Sequence, residues 1–319
     1  MRHNVLRAKN SPSIVVVGSS NTDMIIKMDR IPRQGETIIG GEFFTAAGGK
    51  GANQAVGAAR AGGNVTFIAR VGKDSLGEQA VAGFKRDGIN VKYIVGDPGT
   101  PSGVALIFVG RNGENSIAVA SGANEKLSPQ DVLNAREAFA GAGALIMQLE
   151  TPIETIQAAA ELAADAGVRV ILNPAPARPL PHELLRLVSI LTPNETEAEM
   201  LTGIKITGVE TASKAAKALL ERGPKAVILT LGSQGAWVAS PNMEQFSPAF
   251  KVDAVDTTAA GDIFNGALAV ALVEGIALLE AVRFANAAAA LSVTKQGAQP
   301  SAPTRAEIEA MLAGNLDKR

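Results

Sequence analysis

The sequence predicts an α/β fold: a three-layer domain with a mostly parallel central sheet covered by helices on both faces, plus a small β-sheet lid from two insertions. Three observations carry this expectation. From about Ser128 onward, short runs rich in Val, Ile and Leu alternate with helical patterns, an alternation that gives parallel strands joined by crossover helices. Apolar residues make up 46% and charged residues 19% of the 319 positions, enough to bury a large core. Two β-rich pairs, about 20–47 and 98–122, break the alternation and are free to pair into a separate sheet; beside a pocket, such a sheet can act as a lid. At ~150 residues per domain the length admits two domains or one large one. The pattern favours one domain over 14–319, with 1–13 as a short flexible polar tail.

Each element has its own signal. Ile14–Val17 is a β-branched run closed by Gly18, which reads as a buried strand and turn. Met24–Met28 and Glu36–Phe44 are alternating β-rich stretches separated by Pro32 and Gly35. Gly51–Ala61 is Ala-rich with helical spacing, and the strand Val65–Val71 precedes a helix over Ser75–Arg86. Gly103–Val109 and Ser116–Ala120 are strands joined by the turn-forming Arg111-Asn112-Gly113. Helix 129–140 then leads to strand Ala144–Leu149, helix 153–166 to Val168–Leu172, a helix near 182–187 to Ile190–Thr192, and helix 211–222 to Ala226–Leu231. Ala-rich helical patterns at 260–273, 278–294 and 304–313 close the chain.

Composition excludes several chemistries. The chain has no Cys, so disulfides, thiolate metal sites, iron–sulfur clusters and Cys nucleophiles are absent. Only His3 and His182 are present, which excludes a multi-His metal site and leaves a Ser-His-Asp mechanism only His182. Lys plus Arg number 30 and Asp plus Glu 31, a net charge of −1 that gives no support to a nucleic-acid partner. Aromatic residues are 4%, too few for a base-stacking platform. Apolar runs such as Gly266–Val273 are soon broken by charge, and Met1–Ser13 has no apolar segment of the secretory type, so a cytoplasmic protein is expected. The chemistry must run on carboxylates, amides, Lys and backbone N–H groups.

Six motifs can supply it. In Asp256-Thr257-Thr258-Ala259-Ala260-Gly261-Asp262, small residues lead into a helix whose first N–H groups can bind an anion, phosphate above all. Asp262 then sits beside that site as a base for an attacking hydroxyl, although an Asp in a first helical turn is favourable in any case. Ala46-Ala47-Gly48-Gly49-Lys50-Gly51-Ala52-Asn53 is not a Walker loop; its glycines, Lys50 and Asn53 can hydrogen-bond a polyhydroxyl ligand or simply open a helix with a solvated Lys. Asn21 and Asp23 lie just past the first strand, where open α/β sheets place ligands and where Asx turns also form; the G-x-G-x-x-G spacing of a dinucleotide site is missing. Thr192-Pro193-Asn194-Glu195-Thr196-Glu197 reads as a capping box or as a site near Mg²⁺ waters and phosphate. Thr230-Leu231-Gly232-Ser233-Gln234-Gly235 can wrap a nucleotide or turn a hairpin. Lys295-Gln296-Gly297-Ala298-Gln299-Pro300-Ser301 is a loop whose carbonyls can face a cation. Glu150 ends the strand before it at the sheet's carboxyl edge.

In combination and order, these motifs, with Gln148-Leu149-Glu150 and Gly297-Ala298-Gln299-Pro300-Ser301, closely resemble the ribokinase-like sugar kinases, also called the phosphofructokinase B family, from about Ile14 to Leu312. The resemblance implies transfer of the γ-phosphoryl group of ATP to the 5-hydroxyl of D-ribose, with Asp262 as base and the N–H groups of Ala260 and Gly261 as anion hole. It implies that Asn21, Asp23, Gly49, Lys50, Gly51, Ala52, Asn53 and Glu150 hold the sugar. ATP is expected at Asn194, Thr230, Leu231, Gly232, Ser233, Gln234, Gly235, Gly261 and Asn286, with Mg²⁺ supported by Asn194 and Glu197. A monovalent cation, usually K⁺, is expected at Asp256, Thr258, Ser292, Lys295, Gly297 and Ser301. A homodimer through the lid sheets is also implied. One departure is visible: Asn286 stands where some members have His near the adenine. The competing readings are a kinase for another sugar or a nucleoside, and a non-catalytic sugar- or nucleotide-binding protein on the same scaffold; a nicotinamide oxidoreductase lacks its glycine fingerprint.

Overall fold

The computed structural model describes residues 13–314, so the tail expected over 1–13 lies, apart from Ser13, outside the described residues. The first half of the chain forms β1 (Ser13–Val17), β2 (Asn21–Lys27), β3 (Glu42–Gly48), α1 (Lys50–Arg60), β4 (Val65–Gly72), α2 (Ser75–Arg86), β5 (Ile94–Asp97), β6 (Gly103–Val109), β7 (Asn115–Ala120), α3 (Pro129–Asn134), β8 (Ala142–Met147) and α4 (Ile153–Asp165). The second half forms β9 (Arg169–Leu172), α5 (His182–Leu187), β10 (Ile190–Leu191), α6 (Glu195–Thr202), α7 (Val209–Leu220), β11 (Ala226–Thr230), β12 (Gly235–Ser240), β13 (Met243–Pro248), α8 (Ala260–Val273), α9 (Leu278–Ser292) and α10 (Arg305–Leu312).

Nine strands make the main sheet, ordered β13-β12-β11-β10-β9-β8-β1-β4-β5. From β11 to β5 neighbouring strands run parallel, and β12 and β13 add an antiparallel edge. Strand β1 shows why both faces need cover. Ile14 and Val16 pack into the cluster built with α1, α8 and α9, while Val15 and Val17 face the cluster built with α3, α4 and α5. All four are fully buried, and each contributes ~1.5–3 kcal/mol. Helix α8 is buried from Asp262 to Leu272. It lies tight against α1, where a Cβ on Gly266 would stand 2.6 Å from the Gln54 carbonyl oxygen. That close approach sets the first turn of α8 against the first turns of α1.

A second sheet, ordered β3-β2-β6-β7, comes from the two insertions. Phe43, Ile117 and Val119 on it are more than half exposed. The chain passes from β1 to β4 and β5 on one side and to β8 through β11 on the other, so β1 marks the point where strand order reverses. Open parallel sheets bind ligands beyond the carboxyl ends of strands at such a point.

Some expected boundaries move. Strand β3 begins at Glu42, because Gly40 and Gly41 take φ of 117° and 103°, outside the strand region. The helix expected over 129–140 stops at Asn134 and gives way to a 3₁₀ turn over Arg136–Ala138. The β12–β13 hairpin and β5 were not expected. Among the described residues no helix is long and apolar enough to cross a membrane.

Candidate active site

Beyond the carboxyl ends of β9, β10 and β11 lies a cleft of about 170 Å³ where Lys50, Asn194, Glu197, Thr230, Gly261 and Asp262 converge. A larger groove of about 380 Å³ borders Thr22, Arg86 and Gln299 but contains neither Lys50 nor Asp262, so convergent charge rather than size marks the site.

The floor of the cleft is the first turn of α8. Ala259 caps it at φ 60° and ψ 11°, the only non-glycine residue of positive φ among the described residues. That left-handed cap places Ala260 and Gly261 in the cleft wall; the Ala260 N–H also lies 3.3 Å from the Thr257 carbonyl, and the first N–H groups of a helix have no intrahelical partner. A Cβ on Gly261 would meet nothing within 4 Å, so open space for a ligand lies directly above it. Asp262 is 6% exposed. Its Oδ2 accepts from Asn53 Nδ2 at 3.0 Å and its Oδ1 from Gln54 Nε2 at 2.9 Å. Burial pushes its pKa up, while Lys50 and the two amides hold it down. A raised carboxylate is a better proton acceptor.

The glycine-rich entry to α1 is built by close packing. Gly49 has φ 89°, and a Cβ there would lie 2.7 Å from Asn21 N; one on Gly51 would lie 2.5 Å from Ser19 N. This brings α1 against the β1–β2 turn. Glu150 then accepts from Lys50 N–H at 3.0 Å and from the Ser19 hydroxyl. Ala52 is fully buried, and its N–H donates to the Ser19 carbonyl at 2.8 Å. Asn53 Oδ1 is buried without a hydrogen-bond partner among the described residues, an acceptor left for a ligand hydroxyl. Asn21 Oδ1 accepts from Asn124 Nδ2 at 2.7 Å. Burial opposes the charge of Lys50, but Asp262, Glu150 and Glu197 more than offset this and raise its pKa.

Asp23 sits two residues past Asn21 along β2, paired with Ala46. Burial, helped by Glu150, raises its pKa from 3.8 to about 6. The folded state therefore holds this proton more tightly than the unfolded chain, and stability is lost as pH rises across that window. At pH 8 the substitution Asp23→Asn is expected to raise the melting temperature of the ligand-free protein, by at most about 3 kcal/mol of stability, with the gain vanishing near pH 4. Melts at the two pH values check this; an equal or lower melting temperature at pH 8 would show that Asp23 carries no such cost.

Asn194 and Glu197 form a capping box at α6: Asn194 Oδ1 accepts from Glu197 N–H at 2.8 Å, and Glu197 Oε2 accepts from Asn194 N–H at 2.9 Å. The expected capping is thus present, and Glu197 also lines the cleft, where burial raises its pKa. Among the described residues no three His, Cys, Asp or Glu side chains converge as a metal site. A divalent ion here fits only as one carried by phosphates, with the buried Glu197 carboxylate beyond its waters.

Other expected residues lie nearby rather than in the cleft. Thr230 lines it, but Leu231 turns its side chain into a small apolar cluster with Ala198 and Leu229. Gly232, Ser233 and Gln234 form a 3₁₀ turn, and Gly235 opens β12 at φ 127°, where a Cβ would strike the Ser247 carbonyl. The segment is therefore the turn of a hairpin. Asn286 is buried and its Nδ2 faces Ser247 and Pro248 of β13 at 3.2–3.3 Å.

Asp256 ties two loops together, accepting from Thr258 N–H at 2.9 Å and Gly297 N–H at 2.8 Å. The Ser292 and Ser301 hydroxyls donate to the carbonyls of Ala289 and Ala298, and Lys295 Nζ turns to Glu307 at 2.9 Å. Of Lys295, the backbone carbonyl is the group left to serve a cation. Carbonyls, hydroxyls and one carboxylate make an all-oxygen donor set that fits a hard monovalent ion.

Sequence reasoning passed over Gln54 and Asn265 and gave no role to Asn173 and Thr192, although all four are buried around Asp262. The available signal was a polar residue on the inward face of an otherwise apolar element.

The pfkB family carbohydrate kinase profile matches residues 11–305. A ribokinase of Haemophilus influenzae is 46% identical over 295 residues, 92% of this chain and 96% of its own. A deoxyribokinase of Salmonella typhi is 38% identical over 303 residues, 95% of this chain and 99% of its own. The structure of Arabidopsis thaliana ribokinase complexed with ribose and ATP superposes with a TM-score of 0.89 at 37% identity, covering 95% of this chain and 99% of that one. The profile spans the sheet, the cleft and the α8 turn alike, and the chain belongs to the pfkB family of carbohydrate kinases.

Proposed function

We propose that the protein is a ribokinase that transfers the γ-phosphoryl group of ATP to the 5-hydroxyl of D-ribose, giving D-ribose 5-phosphate and ADP. The observation that carries this reading is the buried Asp262 carboxylate in the first turn of α8, beside open space above Gly261. Asp262 takes the proton of the 5-hydroxyl as its oxygen bonds to the γ-phosphorus and the bond to the β-phosphate oxygen breaks. The N–H groups of Ala260 and Gly261 stabilise the charge on the transferring group. Asn21, Asp23, Asn53, Glu150 and the Gly49–Lys50 backbone orient the sugar, and Lys50 adds positive charge at the reacting centre.

ATP lies over Thr230–Gly235, with Asn194 and Asn286 at its edges. Asn194 and Glu197 would support a Mg²⁺ ion carried by the ATP phosphates, which would offset their charge. The Asp256–Thr258 and Ser292–Ser301 segments would hold a K⁺ ion, whose charge would steady the loop that precedes α8. The β3-β2-β6-β7 sheet acts as a lid that excludes water, the competing acceptor.

The test is ADP release from Mg-ATP with and without D-ribose in K⁺ buffer. Ribose-dependent release that collapses when a large organic cation replaces K⁺ is expected. Ribose-independent or absent turnover in folded protein would overturn the reading. The relationship to the deoxyribokinase favours one second reading, with 2-deoxy-D-ribose as acceptor. Higher kcat/KM for that sugar would move the sugar assignment and keep the kinase.

The exposed Phe44, Ile117 and Val119 share one face of the lid sheet and form the interface of a homodimer, joined isologously. The substitution Ile117→Glu is expected to shift sedimentation from dimer to monomer. A wild-type monomer at micromolar concentration would dismiss the interface.

A further inference from the structure

Asp262 does not stand alone. A directed chain of buried amides runs to it and past it. Gln148 Nε2 donates to Gln54 Oε1 at 2.6 Å. The Gln54 NH₂ then donates to Asp262 Oδ1 at 2.9 Å and to Asn173 Oδ1 at 3.2 Å. Asn173 Nδ2 donates to the Thr192 carbonyl at 3.0 Å, the Thr192 hydroxyl to Asn265 Oδ1 at 2.7 Å, and Asn265 Nδ2 to the Gly261 carbonyl at 2.8 Å. The chain therefore begins outside the α8 turn, touches its carboxylate, and returns to its backbone one residue away. Gln54 is 0% exposed and Gln148 1%.

We propose that Gln54, oriented by Gln148, is a positioning residue that fixes the Asp262 carboxylate for proton transfer. The inference rests on the reading of Asp262 as the base. Its core is a matter of polarity. A Gln amide can flip end for end, exchanging its donor and acceptor sides. Here the N–H of Gln148 requires an oxygen at Gln54 Oε1, and the Asn173 oxygen requires an N–H on the other side. Both requirements are met only when Gln54 presents its NH₂ to Asp262. A flipped Gln54 would set an oxygen against the carboxylate and leave the Gln148 donor facing an NH₂. With Asn53 on the other oxygen, the two donors leave Asp262 one fixed direction in which to receive a proton.

The groups that face Asp262 through space are Lys50 of α1, Glu150 after β8 and Glu197 of α6. Lys50 favours its ionised form and the two Glu oppose it. The Gln54 N–H favours the ionised form too, and losing it moves the carboxylate pKa upward.

The test is the pH dependence of kcat and KM for Gln54→Leu, Gln54→Glu and Gln148→Met, each with a thermal melt. Gln54→Leu is expected to lower kcat ~10–10²-fold with KM for both substrates nearly unchanged, the scale of a slightly misplaced reacting group. The acid limb of its kcat profile should move up by about one unit. Gln54→Glu should move that limb further, since it sets a second carboxylate beside the first. Gln148→Met should give the same signature, weaker, because Gln54 Oε1 then loses its donor and only Asn173 and Asp262 still hold the amide. If Gln54→Leu fails to fold, Gln54→Glu and Gln148→Met carry the test. A limb that stays in place while only the melting temperature falls would make the chain purely structural and overturn the proposal. Near-normal turnover in Asp262→Asn would remove the base itself. An inactive Asp262→Asn beside Gln54 variants of wild-type profile would remove only this proposal.

Discussion

Replacing Asp262 with Asn is expected to lower kcat by roughly 10²–10⁴-fold, the scale of a lost general base. The fold should survive. The wild-type carboxylate receives N–H groups from both Asn53 and Gln54, and an Asn can accept only one of them. One donor is left facing another, which costs about 1–3 kcal/mol. Against that, the variant no longer buries a charge at a 6% exposed position. The two effects oppose each other, so the melting temperature should move by a few degrees while turnover falls by orders of magnitude. Steady-state kinetics with a melt on the same preparation checks this. Turnover within a few-fold of wild type would take Asp262 out of the reaction.

The second large effect is expected from Lys50→Met. The Lys50 ammonium is the cation that Asp262, Glu150 and Glu197 all act upon. Met keeps most of the side-chain volume and removes the charge. Lys50 is only partly buried and acts on these carboxylates through its field rather than through a direct ion pair, so its loss is one of charge. The loss has a sign in pH. Without Lys50 the folded-state pKa values of Asp262 and Glu197, already raised by burial, rise further. The folded variant then binds protons more tightly than its unfolded chain, and its stability falls as pH rises through that range. The gap between wild type and variant should therefore widen from pH 5 to pH 8. A gap independent of pH would mean that these carboxylates do not depend on the Lys50 charge. kcat should also drop, because the developing phosphoryl charge loses a fixed positive neighbour.

The elements most legible in the sequence were those whose signals were local. Helix α2 runs from Ser75 to Arg86, as its helical pattern predicts, and the structure adds the Asp74 side chain as its cap, accepting from Gly77 N–H. Helix α8 over Ala260–Val273 and strand β6 over Gly103–Val109 were equally clear. The β12–β13 hairpin was not. It is held by pairing with β11 and by the Asn286 amide, 38 or 39 residues away in sequence, and no short-range pattern reports such support. Strand β8 starts two residues earlier than expected because Ala142 pairs with Ser13 across a register shift at Gly143, a small residue that adds no apolar signal.

The site divides in the same way. Asp262, Lys50, Asn53 and Glu197 belong to motifs with recognisable order. Gln54, Asn173, Thr192 and Asn265 contribute through contacts that span 19 to 208 residues of chain, which only the fold makes visible.

The junction between the small sheet and the first helix has a mechanical consequence. Strand β3 ends at Gly48 and α1 begins at Lys50, so a single residue, Gly49, is the whole connection on that side. Gly48 is wedged against the Asp23 carboxylate and Gly49 against the backbone of Ser20 and Asn21, which leaves the joint no slack. A tilt of the sheet therefore turns directly into a rotation at the head of α1, and the ammonium group of Lys50 travels with it. If the sheet closes as the proposed lid, sealing the sugar from water and delivering the positive charge become a single stroke of one lever.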